Sequence, residues 1–309
     1  MLKPFIRIVD HQLQYNGTKS LFYTGLKGSL ATEPAQETIQ LFKHDTEKLR
    51  AFFSPAHFQE QGQLIQYSTR KIIELFIKTN QFLNFTSKDY ARLSVVNYTF
   101  MQQIRDILHH HFPLPEQAIR AVFAVHYNQL RMFLIDTNGK DIFKKYELSE
   151  HTFEIVCAEY RPEFQICMLH LDLEQMMEPV LDIGCGHSGK LVNYLRANGI
   201  EAYGMDRMVE DNGWFMNRNW SDTKFPDNHW GMMISHMAFS NHFGHHLYRK
   251  DGKYREYMTK FTNMLHSLKV GGSFVYTPQI PFLEDVIMTS ERFRVIKHGA
   301  VTTAIMKTE

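Results

Sequence analysis

The amino-acid sequence predicts an α/β fold: a mostly parallel, seven-stranded sheet in the second half, preceded by a mainly helical domain. Two observations carry this prediction. Residues 179–190 combine a short apolar run, a glycine turn and a helix start, as in a parallel sheet with crossover helices. Residues 33–139 instead place apolar side chains at the spacing of amphipathic helices. We therefore divide the chain into residues 1–150, a bridge over 151–178 and an α/β domain over 179–309.

The first strand of the sheet is predicted at Val180–Ile183, which is apolar except for Asp182, as in a strand covered on both faces. Gly184 and Gly186 follow, and they allow a sharp turn with no side chain between the backbone and a ligand. A helical pattern then runs to Gly199. We expect the amide groups at the start of this helix to face the ligand.

A second strand is predicted over 200–205, and it ends at Asp206. This acid stands 20 residues after Gly186, where a carboxylate accepts hydrogen bonds from a ribose diol. The pattern therefore predicts a nucleotide-like ligand across the ends of the first two strands.

The segments Asp182-x-Gly184-x-Gly186 and Gly204-Met205-Asp206-Arg207 resemble the first two motifs of class I S-adenosylmethionine-dependent methyltransferases. The resemblance covers about residues 160 to 309. It implies a Rossmann-like methyltransferase sheet with an antiparallel last strand, S-adenosylmethionine as cofactor and S-adenosylhomocysteine as product. The cofactor-binding residues that it implies are Tyr160, Asp182, Gly184, Cys185, Gly186, Asp206, Arg207, Asn219, Trp220 and Ser235.

Three of these assignments have alternatives. In one interpretation, Tyr160 and Gln165 both line the cofactor pocket. In the other, Tyr160 packs between the two domains. In the segment that resembles the third family motif, the adenine contact falls on Asn219 or, in another register, on Asp222. Trp220 is either a wall for the adenine ring or part of the core.

A third strand is predicted at Trp214–Asn217 and a fourth at Trp230–Ser235, with several histidines after the fourth. Because ligands bind at the carboxyl ends of strands in such sheets, His236, His242 and His245 are candidate general bases. His246 completes a spacing that would permit a metal, but no acidic ligand is close in sequence, and we predict no metal site. A solvated polar loop is the other interpretation.

The rest of the second half follows the same resemblance. Lys269–Thr277 is similar to the family's glycine turn into the fifth strand, and 293–296 and 302–306 are predicted as a closing antiparallel pair. In the first half, 5–9 is a possible strand, and helices are predicted from residue 33 to Gly139 with caps at Ser54 and Ser87. This half is interpreted as a cap that forms the substrate pocket or as a dimerisation domain.

Composition narrows the functional classes. The net charge of +1 and the mixed composition give no general electrostatic case for nucleic acid. No apolar run has the length of a membrane span, no signal peptide is recognised at the start, and three widely spaced cysteines, Cys157, Cys167 and Cys185, suggest free thiols in a reducing cytoplasm. We therefore expect a cytoplasmic methyltransferase that acts on an oxygen or nitrogen of a small molecule, and a homodimer through the helical half is one open interpretation of its assembly. The alternatives are a protein or RNA substrate, or a cofactor-binding interaction module with little turnover.

Overall fold

The chain folds into two compact units, Met1–Glu154 and Ile155–Glu309. The computed structural model describes residues 2–17, 33–111, 113–140 and 160–309. Cys157 lies outside the described residues, and Cys167 and Cys185 are free thiols.

The described part of the first unit is helical, as predicted. Its core contains fully buried side chains from three long helices, among them Ile73, Leu93 and Leu134. In chain order the elements are α1 (Leu2–Gly17), α2 (Gln36–His44), α3 (Thr46–Phe52), a 3-10 turn (Pro55–His57), α4 (Phe58–Thr79), α5 (Ser87–His110) and α6 (Glu116–Asn138).

The strand suggested for residues 5–9 is wrong, because these residues lie inside helix α1. Leu2, Phe5 and Val9 pack against the same cluster around Phe52, and the rings of Phe5 and Phe52 stack with centroids 4.1 Å apart. Their spacing matches one helical face. For residues 5–9, the spacing of the buried side chains therefore predicts the secondary structure better than their β-branched and aromatic composition does.

Two predicted helix caps differ in detail from the structure. Ser54 precedes the 3-10 turn rather than a long helix. The N-cap of helix α5 is Thr86, not Ser87. The carboxylate of Asp89 accepts hydrogen bonds from the Thr86 N–H at 2.9 Å and from the Thr86 hydroxyl at 2.8 Å. The predicted end of the last helix is confirmed, since Gly139 follows α6 with φ of +83°.

The second unit contains one seven-stranded sheet of order β3-β2-β1-β4-β5-β7-β6. Strand β7 runs antiparallel to both β5 and β6, and the other pairs are parallel. This topology confirms the predicted fold class. The strands are β1 (Val180–Ile183), β2 (Ala202–Asp206), β3 (Phe215–Asn217), β4 (Trp230–His236), β5 (Leu268–Thr277), β6 (Phe293–His298) and β7 (Thr302–Lys307).

Helices cover the sheet. Two buried apolar clusters, one around Phe239, Phe261 and Phe274 and the other around Val180, Val192 and Ile234, account for the apolar character of the central strands. The helices are Pro162–Leu169, Lys190–Ala197, Phe239–Leu247, Tyr254–Ser267 and Pro281–Ile287, with a 3-10 turn at Leu173–Gln175.

One local expectation and one alternative interpretation were wrong. The glycines after Lys269 do not form a turn before β5, because that strand already begins at Leu268. Gly271, with φ of +81°, instead lies where the β4–β5 register shifts. The segment after β4 is not a solvated loop, because Phe239–Leu247 is a helix with His242 and His246 buried.

Candidate functional site

Three strand ends form the candidate site. Strand β1 lies between β2 and β4 and runs parallel to both. Their carboxyl ends, at Ile183, Asp206 and His236, therefore share one edge of the sheet. Ligands of open α/β sheets bind at this edge.

The glycine turn after β1 requires its glycines. Gly184 and Gly186 have φ of +80° and +75°, a region that favours glycine. A Cβ on Gly184 would overlap the Cβ of Ala238, which follows β4. The turn thus passes close against the backbone that leaves the neighbouring strand.

Asp206 joins the two predicted cofactor motifs. One oxygen of its carboxylate accepts a hydrogen bond from the Gly186 N–H at 3.1 Å, and the other accepts from the Met208 N–H at 2.8 Å. The side chain is partly exposed. Since each carboxylate oxygen has a second lone pair, the group retains the capacity to accept from a diol.

Asp182 differs from Asp206 in its environment. It is buried in β1, and burial, with a smaller contribution from the charge of Asp206, raises its pKa from 3.8 to about 7. Removal of a carboxylate from water favours its neutral form. A cationic group beside Asp182 would offset this burial cost and favour the charged form.

Cys185 lies inside the glycine turn. Its thiol is buried, its Sγ is 3.6 Å from the Gly186 carbonyl oxygen, and burial raises its pKa. A Cβ on Gly204 would overlap this sulfur atom. The side chain of Cys185 therefore packs the turn against β2, and its predicted cofactor contact stays a prediction.

Ser235 connects two strand ends. Its hydroxyl donates to the Ile183 carbonyl oxygen at 3.0 Å and accepts from the Phe239 N–H at 3.0 Å. The side chain is fully buried. These bonds show how Ser235 positions β1, β4 and the helix after β4, whereas its direct contact with a cofactor stays a prediction.

His236 ends β4 in an aromatic corner. The rings of Tyr160 and Phe164 meet its imidazole edge-on, with centroids 5.6 and 6.3 Å away. His236 is 5% exposed, while Tyr160 and Phe164 are 44% and 46% exposed. Neither ring nitrogen of His236 has a hydrogen-bond partner among the described residues, and burial lowers its pKa.

Sequence interpretation missed Phe164, and the pocket role suggested for Gln165 stays a prediction. The amide of Gln165 is buried and donates to the Tyr160 carbonyl oxygen at 3.0 Å, so that it supports the backbone of the corner. A signal for Phe164 existed, because it stands four residues after Tyr160 at the start of a helix, where such spacing brings side chains together.

His242 and His245 lie on the helix Phe239–Leu247 in different environments. His242 is buried, and burial, followed by the positive charge of half-buried Arg207, lowers its pKa well below 6.5. His245 is partly exposed, with its Nε2 3.0 Å from Nη1 of Arg249. Neither histidine occupies the strand end as His236 does, and their catalytic assignment stays a prediction.

Two of the three adenine candidates, Asn219 and Trp220, have local roles. Oδ1 of Asn219 accepts from the Ser221 N–H at 2.9 Å, which forms a turn. Trp220 is buried in the core cluster, with its ring edge-on to His242 at 5.1 Å. A Cβ on Gly184 would be 3.6 Å from the Trp220 ring, so this core residue also supports the glycine turn.

Across residues 2–17, 33–111, 113–140 and 160–309, no group of three or more His, Cys, Asp or Glu side chains is placed to hold a metal ion. The helices within those ranges are all too short or too polar to cross a membrane.

No protein-family model and no curated protein matches the chain. Among solved structures, the chain is similar to N-methyltransferase NodS from Bradyrhizobium japonicum in complex with S-adenosylhomocysteine (13% identity, 55% of this chain and 98% of that chain, TM-score 0.36). It is also similar to the 1,6-didemethyltoxoflavin-N1-methyltransferase of Burkholderia thailandensis (14% identity, 58% and 88%, TM-score 0.33). A third similar structure is a Haloferax volcanii methyltransferase complex with the Trm112 activator (13% identity, 48% and 92%, TM-score 0.31).

Structural similarity at these TM-scores establishes neither a fold nor an activity. The fold is established by the topology of the sheet. The sheet has the seven mostly parallel strands and the antiparallel last strand that the sequence resemblance implies, and the glycine turn bonds to Asp206 through the Gly186 N–H. The second unit of this chain therefore has the fold of the class I S-adenosylmethionine-dependent methyltransferases and carries two motifs that resemble theirs.

Proposed function

We propose that the protein is an S-adenosylmethionine-dependent methyltransferase that acts on an oxygen or nitrogen atom of a small molecule. The observation that carries the proposal is the hydrogen bond between the Gly186 N–H and the Asp206 carboxylate. It joins a close-approach glycine turn to an acid suited to a ribose at one edge of the sheet.

The chemistry of the residues at this edge supports the proposed binding of this cofactor. Asp206 would accept from the ribose hydroxyls, and the glycine turn would lie against the methionine part without side chains. Asp182 would face the α-ammonium group, and that cation would lower the raised pKa of the carboxyl by favouring its charged form. These contacts account for a buried acid that is otherwise costly.

When bound, S-adenosylmethionine supplies an electrophilic methyl group on a sulfonium. His236 would take the proton of the acceptor as its oxygen or nitrogen forms a bond to the methyl carbon and the carbon–sulfur bond breaks to leave the neutral thioether. The lowered pKa of His236 keeps its imidazole neutral at pH 7, the form that accepts a proton. Tyr160 and Phe164 present exposed ring surface beside it and would hold the acceptor in position.

A small-molecule acceptor is favoured by charge. The chain has a net charge of +1 and lacks the strong basic balance that nucleic-acid binding requires. The role of residues 1–150 as a substrate cap or a dimerisation domain stays a prediction from sequence.

The test is calorimetric titration of the full chain with S-adenosylmethionine and S-adenosylhomocysteine, before and after addition of a chelator. We expect micromolar binding that survives the chelator. Asp206→Ala should weaken binding about 10- to 100-fold, the size of a hydrogen bond to a charged group.

The matched control is Glu210→Ala, which removes an exposed acid four residues further on and should leave the affinity unchanged. Wild-type affinity in Asp206→Ala would remove Asp206 from the site. Failure of the wild-type chain to bind either compound would overturn the proposed function.

A further inference from the structure

Two adjacent aromatic side chains, Tyr160 and Phe164, are exposed beside the end of β4. Their rings are in contact, with centroids 5.1 Å apart and planes inclined at 39°. A single exposed ring needs no explanation, whereas contiguous apolar surface marks a binding site more often. Both residues belong to the second unit, so this surface is a feature of that unit alone.

The backbone that carries the two rings is fixed to the sheet. Phe164 lies on the helix Pro162–Leu169, and Leu169 at its end is fully buried in the cluster around Val180. The carbonyl oxygen of Met168 accepts a hydrogen bond from the Thr302 hydroxyl of β7 at 2.6 Å. A ligand that binds to these rings therefore pays little to order the chain beneath them.

The aromatic corner lies next to the glycine turn. His236 meets both rings edge-on. Ala238, two residues further along the chain, packs so closely on the turn that a Cβ on Gly184 would overlap it. In a methyl transfer the reacting atoms must approach to about 3–3.5 Å. If the turn holds the cofactor, a molecule on the aromatic corner is therefore in the place of the methyl acceptor.

Two arguments favour an aromatic acceptor over an aliphatic one. Aromatic pairs in stacked or edge-on contact gain free energy beyond the burial of apolar area, and an aliphatic ring gains the burial alone. In addition, burial lowers the pKa of His236, which makes it a weak base. A phenol-type hydroxyl, with a reference pKa of about 10 in tyrosine, releases its proton to such a base more readily than an aliphatic alcohol does.

We propose that the methyl acceptor carries its reactive oxygen or nitrogen on a planar aromatic ring, and that Tyr160 and Phe164 bind this ring. The inference rests on the proposed function and names its substrate class. The reaction keeps the same balance. The aromatic heteroatom forms the bond to the methyl carbon, its proton passes to His236, and the electron pair of the broken carbon–sulfur bond stays on sulfur.

The test compares 2-naphthol with decahydro-2-naphthol, which have the same carbon skeleton and hydroxyl group and differ in aromaticity. Binding of each to the full chain, saturated with S-adenosylhomocysteine, is measured by calorimetry. We expect 2-naphthol to bind about tenfold more tightly, the effect of aromatic contacts with two rings.

A matched pair of variants tests the assignment to the corner. Phe164→Leu should weaken binding of 2-naphthol about fivefold and leave the affinity for decahydro-2-naphthol within about twofold. Phe58→Leu makes the same replacement at an exposed ring of the helical unit and should leave both affinities unchanged. A preference for 2-naphthol that survives Phe164→Leu in full would overturn the role of the corner.

The same titrations separate this inference from the function on which it rests, because binding of S-adenosylhomocysteine is measured first. If that compound binds but the two alcohols bind equally or not at all, the aromatic substrate class is overturned and the proposed function stands. If S-adenosylhomocysteine itself does not bind, the proposed function fails, and the assignment of an acceptor site fails with it.

Discussion

The ends of β2 and β4 lie at the same edge of the sheet, yet their polar side chains differ in one respect. Both carboxylate oxygens of Asp206 accept backbone hydrogen bonds, whereas neither nitrogen of His236 has a partner among the described residues. The first side chain is held in place before a ligand arrives. The imidazole has no such anchor, which is compatible with the role proposed for His236 as a group that exchanges a proton during the reaction.

The largest expected effect tests the reactive end of this comparison. His236→Ala should reduce methyl transfer by about 10²- to 10⁴-fold, the range for loss of a general base, with little change in cofactor affinity. The measurement is transfer of radiolabelled methyl from S-adenosylmethionine to the small-molecule fraction of a cell extract.

The matched control is His229→Ala, because His229 is exposed and precedes the same strand at its opposite end. We expect His229→Ala to retain wild-type turnover. If His236→Ala also retains it, His236 is not the base and the comparison between the two strand ends loses its functional meaning.

A smaller effect is expected from the buried acid in β1. The pKa of Asp182 rises from 3.8 to about 7 in the folded chain, so the folded state retains a proton that the unfolded chain releases in this interval. Stability from this group is fully present below about pH 4 and is lost as the pH rises through about 7. Between pH 5 and pH 8 the free energy of unfolding of the wild-type should therefore fall by about 2–3 kcal/mol through this group alone.

Asp182→Asn removes this ionisation. The free energy of unfolding of this variant, measured by urea denaturation at pH 5 and pH 8, should therefore lack the fall of about 2–3 kcal/mol expected for the wild-type. The control is Asp227→Asn, an exposed acid, which should follow the wild-type. Identical pH profiles for Asp182→Asn and the wild-type would show that Asp182 is not held protonated.

The smallest effect concerns the contact between the glycine turn after β1 and Ala238, which follows β4. Gly184→Ala forces a side chain at φ of +80° and against Ala238. Gly199→Ala has nearly the same strain, with φ of +83°, but no atom within 4 Å of the added Cβ. The difference between the two variants isolates the overlap, and we expect Gly184→Ala to cost roughly 1–3 kcal/mol more. Equal melting temperatures would mean that the turn is not packed against the residue after β4.

Local patterns in the sequence were sufficient for much of the fold. Strand β1, the glycine turn and Asp206 were predicted because an apolar run, special backbone residues and a fixed spacing all lie within 27 residues, 180–206. The closing antiparallel pair β6 and β7 was instead implied by the family resemblance, and the structure confirms that it is antiparallel. Helix α1 was not predicted, because its short-range composition favours a strand and the deciding contact with Phe52 is distant in sequence.

The site was less predictable, because the environment of each of its side chains depends on contacts with residues far away in the sequence. The aromatic corner joins Tyr160 to His236, 76 residues apart. Ser235 bonds to Ile183, 52 residues away, and the burial of His242 depends on a helix where a loop was an open interpretation. Residue types suggested which side chains have suitable chemistry, but not which of them have unsatisfied atoms.

The hydroxyl of Ser235 gives this arrangement a built-in reporter. It accepts from the Phe239 amide while it donates to the carbonyl oxygen of Ile183, the residue directly before the glycine turn. Any ligand that displaces the turn must therefore change the geometry at that amide. The nuclear magnetic resonance signal of the Phe239 backbone amide proton should thus register occupancy of the sheet edge without a label on the ligand.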